Sequence, residues 1–279
     1  MTFDEVYKKY LEYARNRHKK QGFIIIIQNF KNHILPYFTG YNIYNLTKID
    51  IINWQDIILS KNFSNKYNAM LYSNFKIFID YCILLDIFEN NIVSQVGAFK
   101  KKIEYKEHKV FNLKQFIKFS YYLDNFIIRQ YFTFMFFYGT RPSETMALRF
   151  SDINGSDVFI QHNLQRKGRR ELDTPKNQSS IRHIKINLVM RFRIWLLKKY
   201  YGNNNCDYFV FGGSKPLAPT TIDRYKKKAC KKANLYEITQ HEFRHSYATR
   251  MISKGKPINK VSKTMGHSTI SITLDVYTH

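Results

Sequence analysis

A mainly α-helical chain in two units, the second an α+β domain with one small antiparallel sheet, is the fold the sequence predicts. Three observations lead there. Apolar residues recur at helical intervals along most of the 279 residues. Only two runs, "VFIQH" (158–162) and "SIRHIKI" (180–186), alternate in the manner of strands. A charged stretch with little helical periodicity, "AFKKKIEYKEHKVF" (Ala98–Phe111), divides the chain.

The elements follow in order. Thr2-Phe-Asp-Glu5 has the spacing of a capping box, and Val6, Tyr10 and Tyr13 continue it at helical intervals. Periodic stretches predict further helices over about 22–37, 49–59 and 64–86, the last opening at Ser64 as N-cap. No convincing strand precedes residue 100. Helices resume at about 113–123 and 125–138, the latter closed by Gly139. The two strand-like runs flank the polar stretch Asn163–Ser179, which predicts a hairpin with a long basic tip. Helices return over about 187–200, 219–233, 239–254 and 257–265. The expected organisation is therefore a helical domain over 1–97, a basic linker over 98–110 and a mostly helical second domain over 111–279.

Charge narrows the function. Lys and Arg number 45 against 21 Asp and Glu, a formal net charge of +24, too unbalanced for an ordinary enzyme of small molecules. Of this, +6 falls in residues 1–110 and +18 in 111–279; the excess fits a chain that meets a polyanion. Both domains are expected to bind it, clamped around it through the Ala98–Phe111 linker. Cys82, Cys206 and Cys230 are far apart and form no CxxC pair, which argues against a disulfide framework and against a thiolate zinc site. "FIIII" (Phe23–Ile27) is too short to span a bilayer, and the N-terminus does not read as a signal peptide, so a reducing cytoplasm is the expected setting.

The pentapeptide "HEFRH" (His241–His245) matches the H-E-x-x-H zinc-protease signature. That reading lacks a third ligand: Ala248 and Met251 stand where a metzincin needs Gly and His, and Glu242 is the last Glu of the chain. Arg244 also lies on nearly the same helical face, about 60° round from His241, where its fixed charge would repel zinc. The same letters contain His-x-x-Arg, half of a phosphodiester site. Metal-free cleavage of a phosphodiester needs cations for the non-bridging oxygens, a nucleophile and a general acid. The chain offers Arg141 in "YGTRPSETMALRFSDI", Lys176 in "TPKNQSSIRHIKI", His241 and Arg244 in "HEFRHSYATRM", and His267 and Tyr277 in "MGHSTISITLDVYTH".

In that order, with 22 residues between Arg244 and His267 and nine between His267 and Tyr277, these blocks resemble the tyrosine recombinase, or phage integrase, family. The likeness is greatest to integrases of conjugative transposons and phages of low-GC bacteria. Two departures leave the chemistry untouched: Asn90-Asn91 replaces a frequent Asn-Pro, and Phe243 a usual Leu. The chain ends two residues after Tyr277 and begins without a small arm-binding domain, so a compact protein and trimmed termini both remain open.

The resemblance implies a helical core-binding domain ahead of a catalytic domain, and a site-specific DNA recombinase working through a 3′-phosphotyrosine. It implies Arg141 and Arg244 on the scissile phosphate, Lys176 as proton donor to the 5′-oxygen, His241 and His267 on phosphate oxygens, and Tyr277 as nucleophile. The free phenol titrates near 10, and the surrounding cations would favour its phenolate. Glu144 is expected to orient Arg141, and His245 to serve packing or to support the groups that touch the phosphate. The expected partners are double-stranded attachment-site DNA, further copies forming a homotetramer on two duplexes, and accessory excision or host DNA-bending factors. No membrane, cofactor or metal is expected, and a bacterial member would act on nucleoid DNA in the cytoplasm.

Candidate DNA contacts outside the chemistry are Lys61, Asn62, Ser64 and Lys66 at a helix start, Lys167 and Arg169 in the hairpin tip, and Arg224 and Lys227 in "RYKKKACKKA". An ordinary capped surface helix is the competing reading at residues 61–66. For the whole chain the competing readings are a type IB topoisomerase-like enzyme and a catalytically decayed DNA-binding protein of the same fold. The intact set of six catalytic-type residues argues against the last.

Overall fold

The computed structural model describes residues 1–100, 109–164, 172–173, 181–202, 205–266 and 269–270. By internal contacts the chain forms two compact units, Met1–Tyr105 and Lys106–His279.

The first unit contains six α-helices among its described residues: α1 (Phe3–Arg15), α2 (Lys20–His33), α3 (Leu35–Phe38), α4 (Lys48–Ser60), α5 (Asn65–Leu84) and α6 (Ile92–Val96). The capping box at the start of α1 is present, with Thr2 and Glu5 exchanging side-chain and backbone hydrogen bonds. A second one, Thr47 with Asp50, opens α4, and the Ser64 hydroxyl caps α5 by accepting from the Tyr67 N–H. The single helix expected over 22–37 is instead two. Pro36 has no N–H to continue the ladder and its ring would strike the carbonyl of Asn32, so the backbone breaks at Ile34. Helix α6 is too short to show a period in sequence and is set by its Asn91 cap. Phe3, Tyr10, Phe30, Phe75 and Phe78 form the aromatic centre of this unit. Trp54 donates its indole N–H to the His33 carbonyl (2.6 Å). Phe99, within the stretch expected to be linker, packs on Trp54.

The second unit opens with α7 (Leu113–Tyr121), α8 (Phe126–Tyr138) and α9 (Pro142–Ala147). A three-stranded antiparallel sheet follows, formed by β1 (Ile153–Asn154), β2 (Asp157–Ile160) and β5 (Arg182–Lys185) in the order β1-β2-β5. The expected hairpin is thus present, with Val158 opposite Ile184 and Ile160 opposite Arg182. One correction concerns the sheet content. A second two-stranded ladder, β3 (Asn163–Leu164) with β4 (Leu172–Asp173), lies inside what sequence marks as a polar tip. Two-residue strands leave no alternation to detect. The unit closes with α10 (Leu188–Tyr200), α11 (Pro219–Lys232), α12 (Gln240–Ser253) and α13 (Ile258–Met265).

Helix α8 is buried nearly all round, and α12 packs against it. Phe243 from α12 sits in an aromatic nest of Phe111, Phe116, Phe119 and Phe132, and the Phe116 ring stacks on Phe136 at 4.0 Å. The Arg250 guanidinium lies over the Phe136 and Phe137 rings and donates to the Phe136 carbonyl, pinning the far end of α12 to α8. This packing sets the angle at which the first turns of α12 present their polar side chains. Among the described residues no helix is long and apolar enough to cross a membrane.

Phe243 is fully buried, so Phe243→Ala should cost about 3–5 kcal/mol. Phe243→Leu should cost much less, because most of the volume stays filled. Urea unfolding followed by circular dichroism measures both.

Candidate active site

Helix α8 ends at Gly139 in the left-handed conformation, φ 65°. A Cβ there would lie 2.3 Å from the Tyr247 ring of α12, so glycine is required both by the backbone and by the close approach. Two residues on, Arg141 caps α9, and Pro142 occupies its first turn. Glu144, in that same turn, accepts from the Arg141 backbone N–H (2.8 Å) and from its guanidinium (2.7 Å). Glu144 thus orients Arg141, as the spacing suggests.

A second partner is not evident from sequence. Arg182, on β5, is 9% exposed and clasps both oxygens of Glu144, at 3.0 and 2.8 Å. Its Nε–H donates to the Thr264 carbonyl at 2.7 Å. Arg182 shares an inward face with Ile184, so the alternation of "SIRHIKI" does contain the signal: a cation at an apolar position requires a buried acid.

Arg244 projects from the second turn of α12 and is 4% exposed. Its two terminal nitrogens donate to the Gly139 carbonyl (2.8 Å) and the Met265 carbonyl (2.7 Å). Arg141 donates to the next carbonyl, that of Gly266, at 2.6 Å. Three arginines from three elements therefore take three consecutive carbonyls, 264 to 266, at the C-terminal end of α13. Cations are favoured there because the last carbonyls of a helix lack internal partners and carry the negative end of its dipole. The structure brings Arg141 and Arg244 together at this point, and the next residue in the chain is His267.

Electrostatics follow from burial. Desolvation pushes Glu144 up, but hydrogen bonds and charge from Arg182, with the charges of Arg244 and Arg141, outweigh it and bring the carboxyl down to about 2. Burial and the like charge of Arg141 pull Arg244 down to about 9, with Glu144 opposing the fall, so it remains a cation near neutrality. Three guanidiniums around one carboxylate leave two positive charges in excess.

His241 lies in the first turn of α12, exposed and one turn ahead of Arg244. Glu242, the base in a zinc reading, closes a capping box with Thr239. Lys176, His267 and Tyr277 lie outside the described residues, as do Lys167 and Arg169. Lys61, Asn62, Ser64 and Lys66 are exposed at the α4–α5 corner of the first unit, where the Ser64 hydroxyl serves its helix.

The reading of "RYKKKACKKA" as a phosphate-facing helix needs narrowing. Lys226 is buried against Asp223 and Glu237, while Lys228 and Lys232 reach Asp124. These three cations hold α11 to its surroundings. Arg224 and Lys227 are exposed on the same helix.

A mostly helical chain with this small sheet and an arginine pair at a helix end has the fold of a tyrosine recombinase. Residues 109–279 match the phage integrase family, and residues 2–59 match the N-terminal SAM-like domain of phage integrases. The chain belongs to the phage integrase family, whose members are DNA breaking-and-rejoining enzymes. It is similar to the ICEBs1 integrase of Bacillus subtilis (strain 168), at 26% identity over 95% of this chain and 74% of that protein. It is also similar to a tyrosine recombinase of Thermosipho africanus (strain TCF52B), at 29% identity over 68% of this chain and 56% of that one. Among solved structures, the Tn1549 transposon integrase in complex with transposon right end DNA shares the fold, with a TM-score of 0.80 at 20% identity. That match covers 100% of this chain and 95% of the other.

Glu144 is charged in the folded state down to about pH 2 but only to its ordinary 4.5 when unfolded. Its lowered value therefore adds stability above pH 4.5 that is lost as pH falls toward 2. Glu144→Gln should be less stable than the wild type at neutral pH, and the gap should narrow by on the order of 3 kcal/mol across that acid window. Denaturant titrations of both proteins at stepped pH test this; a constant gap would refute it.

Proposed function

We propose that this chain is a site-specific DNA recombinase that integrates or excises a mobile element, with double-stranded attachment-site DNA as its substrate. The observation that carries the reading is the convergence of Arg141 and Arg244 on adjacent carbonyls at the end of α13, immediately before His267. In this reading residues 1–97 are a core-binding domain, 98–110 a linker and 111–279 the catalytic domain.

The phosphoryl group to be transferred gains negative charge as it becomes five-coordinate, and the excess of two positive charges around Glu144 is poised for it. Arg141, with 28% of its side chain exposed, offers the accessible edge of the pair. Arg244 supplies charge from beneath, and its five N–H donors are not exhausted by two carbonyls. His241, exposed in the same helix, hydrogen-bonds the phosphate and helps take the proton of the attacking phenol. Tyr277 attacks phosphorus, the bond to the 5′-oxygen breaks, and Lys176 protonates that leaving oxygen. His267 holds a phosphate oxygen. A 5′-hydroxyl of another strand then attacks the 3′-phosphotyrosine, restoring a phosphodiester and the free tyrosine. One ester bond is exchanged for another at each step, so the residues named account for the chemistry. Four copies on two duplexes, with accessory excision or DNA-bending factors setting direction, complete the proposal.

A nicked suicide duplex carrying the end of the element that encodes this chain should trap a covalent protein–DNA adduct with the wild type. Tyr277→Phe should form none, and Arg244→Ala should lower single-turnover trapping by roughly 10²–10³-fold. An adduct undiminished in Tyr277→Phe overturns the assignment. A wild type that binds the duplex without ever forming an adduct points to the catalytically decayed alternative.

A further inference from the structure

Arg182 is buried, charged and bound to two other elements of the catalytic unit, and nothing in the strand-transfer chemistry above uses it. It stands on β5, six residues after Lys176 in the chain. Its terminal nitrogens hold Glu144 in α9, and its Nε–H holds the Thr264 carbonyl at the end of α13.

The geometry of the carboxylate is the informative part. Oε1 of Glu144 accepts from both Arg182 (3.0 Å) and the Arg141 guanidinium (2.7 Å). Oε2 accepts from both Arg182 (2.8 Å) and the Arg141 backbone N–H (2.8 Å). An ionised carboxylate offers about four acceptor directions, so these four bonds saturate it and leave it one orientation. Had Glu144 faced Arg141 alone, it would have cancelled the charge that a phosphate requires. With Arg182 answering that charge, Glu144 orients Arg141 without neutralising it.

Resting on the recombinase reading, we propose that Arg182 is a positioning residue of the strand-transfer site: its fork fixes Glu144 and hence Arg141, while its Nε–H ties the hairpin to the helix end that leads to His267. Among the described residues Arg182 holds Glu144 and the Thr264 carbonyl, and neither supplies a reacting atom. Its effect on the rate passes through Glu144 to the alignment of Arg141, and the Nε–H bond to Thr264 joins β5 to α13 without entering that route.

Arg182→Lys discriminates this role from simple charge balance. Lysine keeps the charge and can reach Glu144, but it lacks the planar fork and the separate Nε–H. The expected result is a melting temperature near that of the wild type and unchanged affinity for the nicked duplex, with adduct formation slowed roughly 10²-fold, as for a misplaced catalytic group. Trapping as fast as the wild type overturns the proposal, because charge alone then suffices. A loss of DNA affinity in proportion to the loss of rate also overturns it, because Arg182 would then be a DNA contact.

If Arg182→Lys does not fold, the pair Arg182→Met with Glu144→Gln removes cation and anion together and leaves no orphaned charge. That double variant should be no slower than Glu144→Gln alone, since the route runs through Glu144. Multiplying defects overturn it. A wild type that forms no adduct removes the recombinase reading itself, whereas a wild type that cleaves beside an equally fast Arg182→Lys removes only this role.

Discussion

The carboxylate of Glu144 is 2% exposed and fully ionised, and a charge so placed is tolerable only when paired and hydrogen-bonded on every side. That constraint organises the second unit. Its two direct partners come from different elements, Arg141 from the start of α9 and Arg182 from β5, so the sheet and the helix must meet around it. Arg244 completes the charge balance without touching it, held instead by the carbonyls of Gly139 and Met265.

The end of α13 is the second half of the arrangement. Its carbonyls need donors that a terminating helix cannot supply, and guanidinium groups supply them together with positive charge. The same groups that stabilise this terminus are the ones proposed to meet the phosphate. In the proposed function, structural stability and phosphate recognition are two uses of one cluster of cations.

Aromatic packing fixes the third coordinate. Phe243 anchors the first turns of α12 in its nest of rings, and Tyr247 fills the space that the missing side chain of Gly139 leaves open. Arg244 lies between these two residues in sequence, so ring packing on either side of it helps deliver its guanidinium to the end of α8. Elsewhere the excess of basic residues is divided between two duties. Lys226, Lys228 and Lys232 serve the fold through Asp124, Asp223 and Glu237, while Arg224 and Lys227 on the same helix face outward.

The sequence by itself determined the long helices and their caps, since Thr2, Ser64, Thr239, Gly139 and Gly266 act locally and leave their mark within four residues. It also singled out Arg141 and Arg244, through blocks whose spacing resembles a known family, and assigned Glu144 to Arg141 because the two are one turn apart. Only the tertiary structure decided that Arg182 shares that carboxylate, that three arginines divide three consecutive carbonyls, and which lysines of α11 are internal. These contacts join residues as far apart as 38, 82 and 125 positions. Periodicity reports what a residue does within its own element. Which distant charge a buried group meets is settled by how the elements pack.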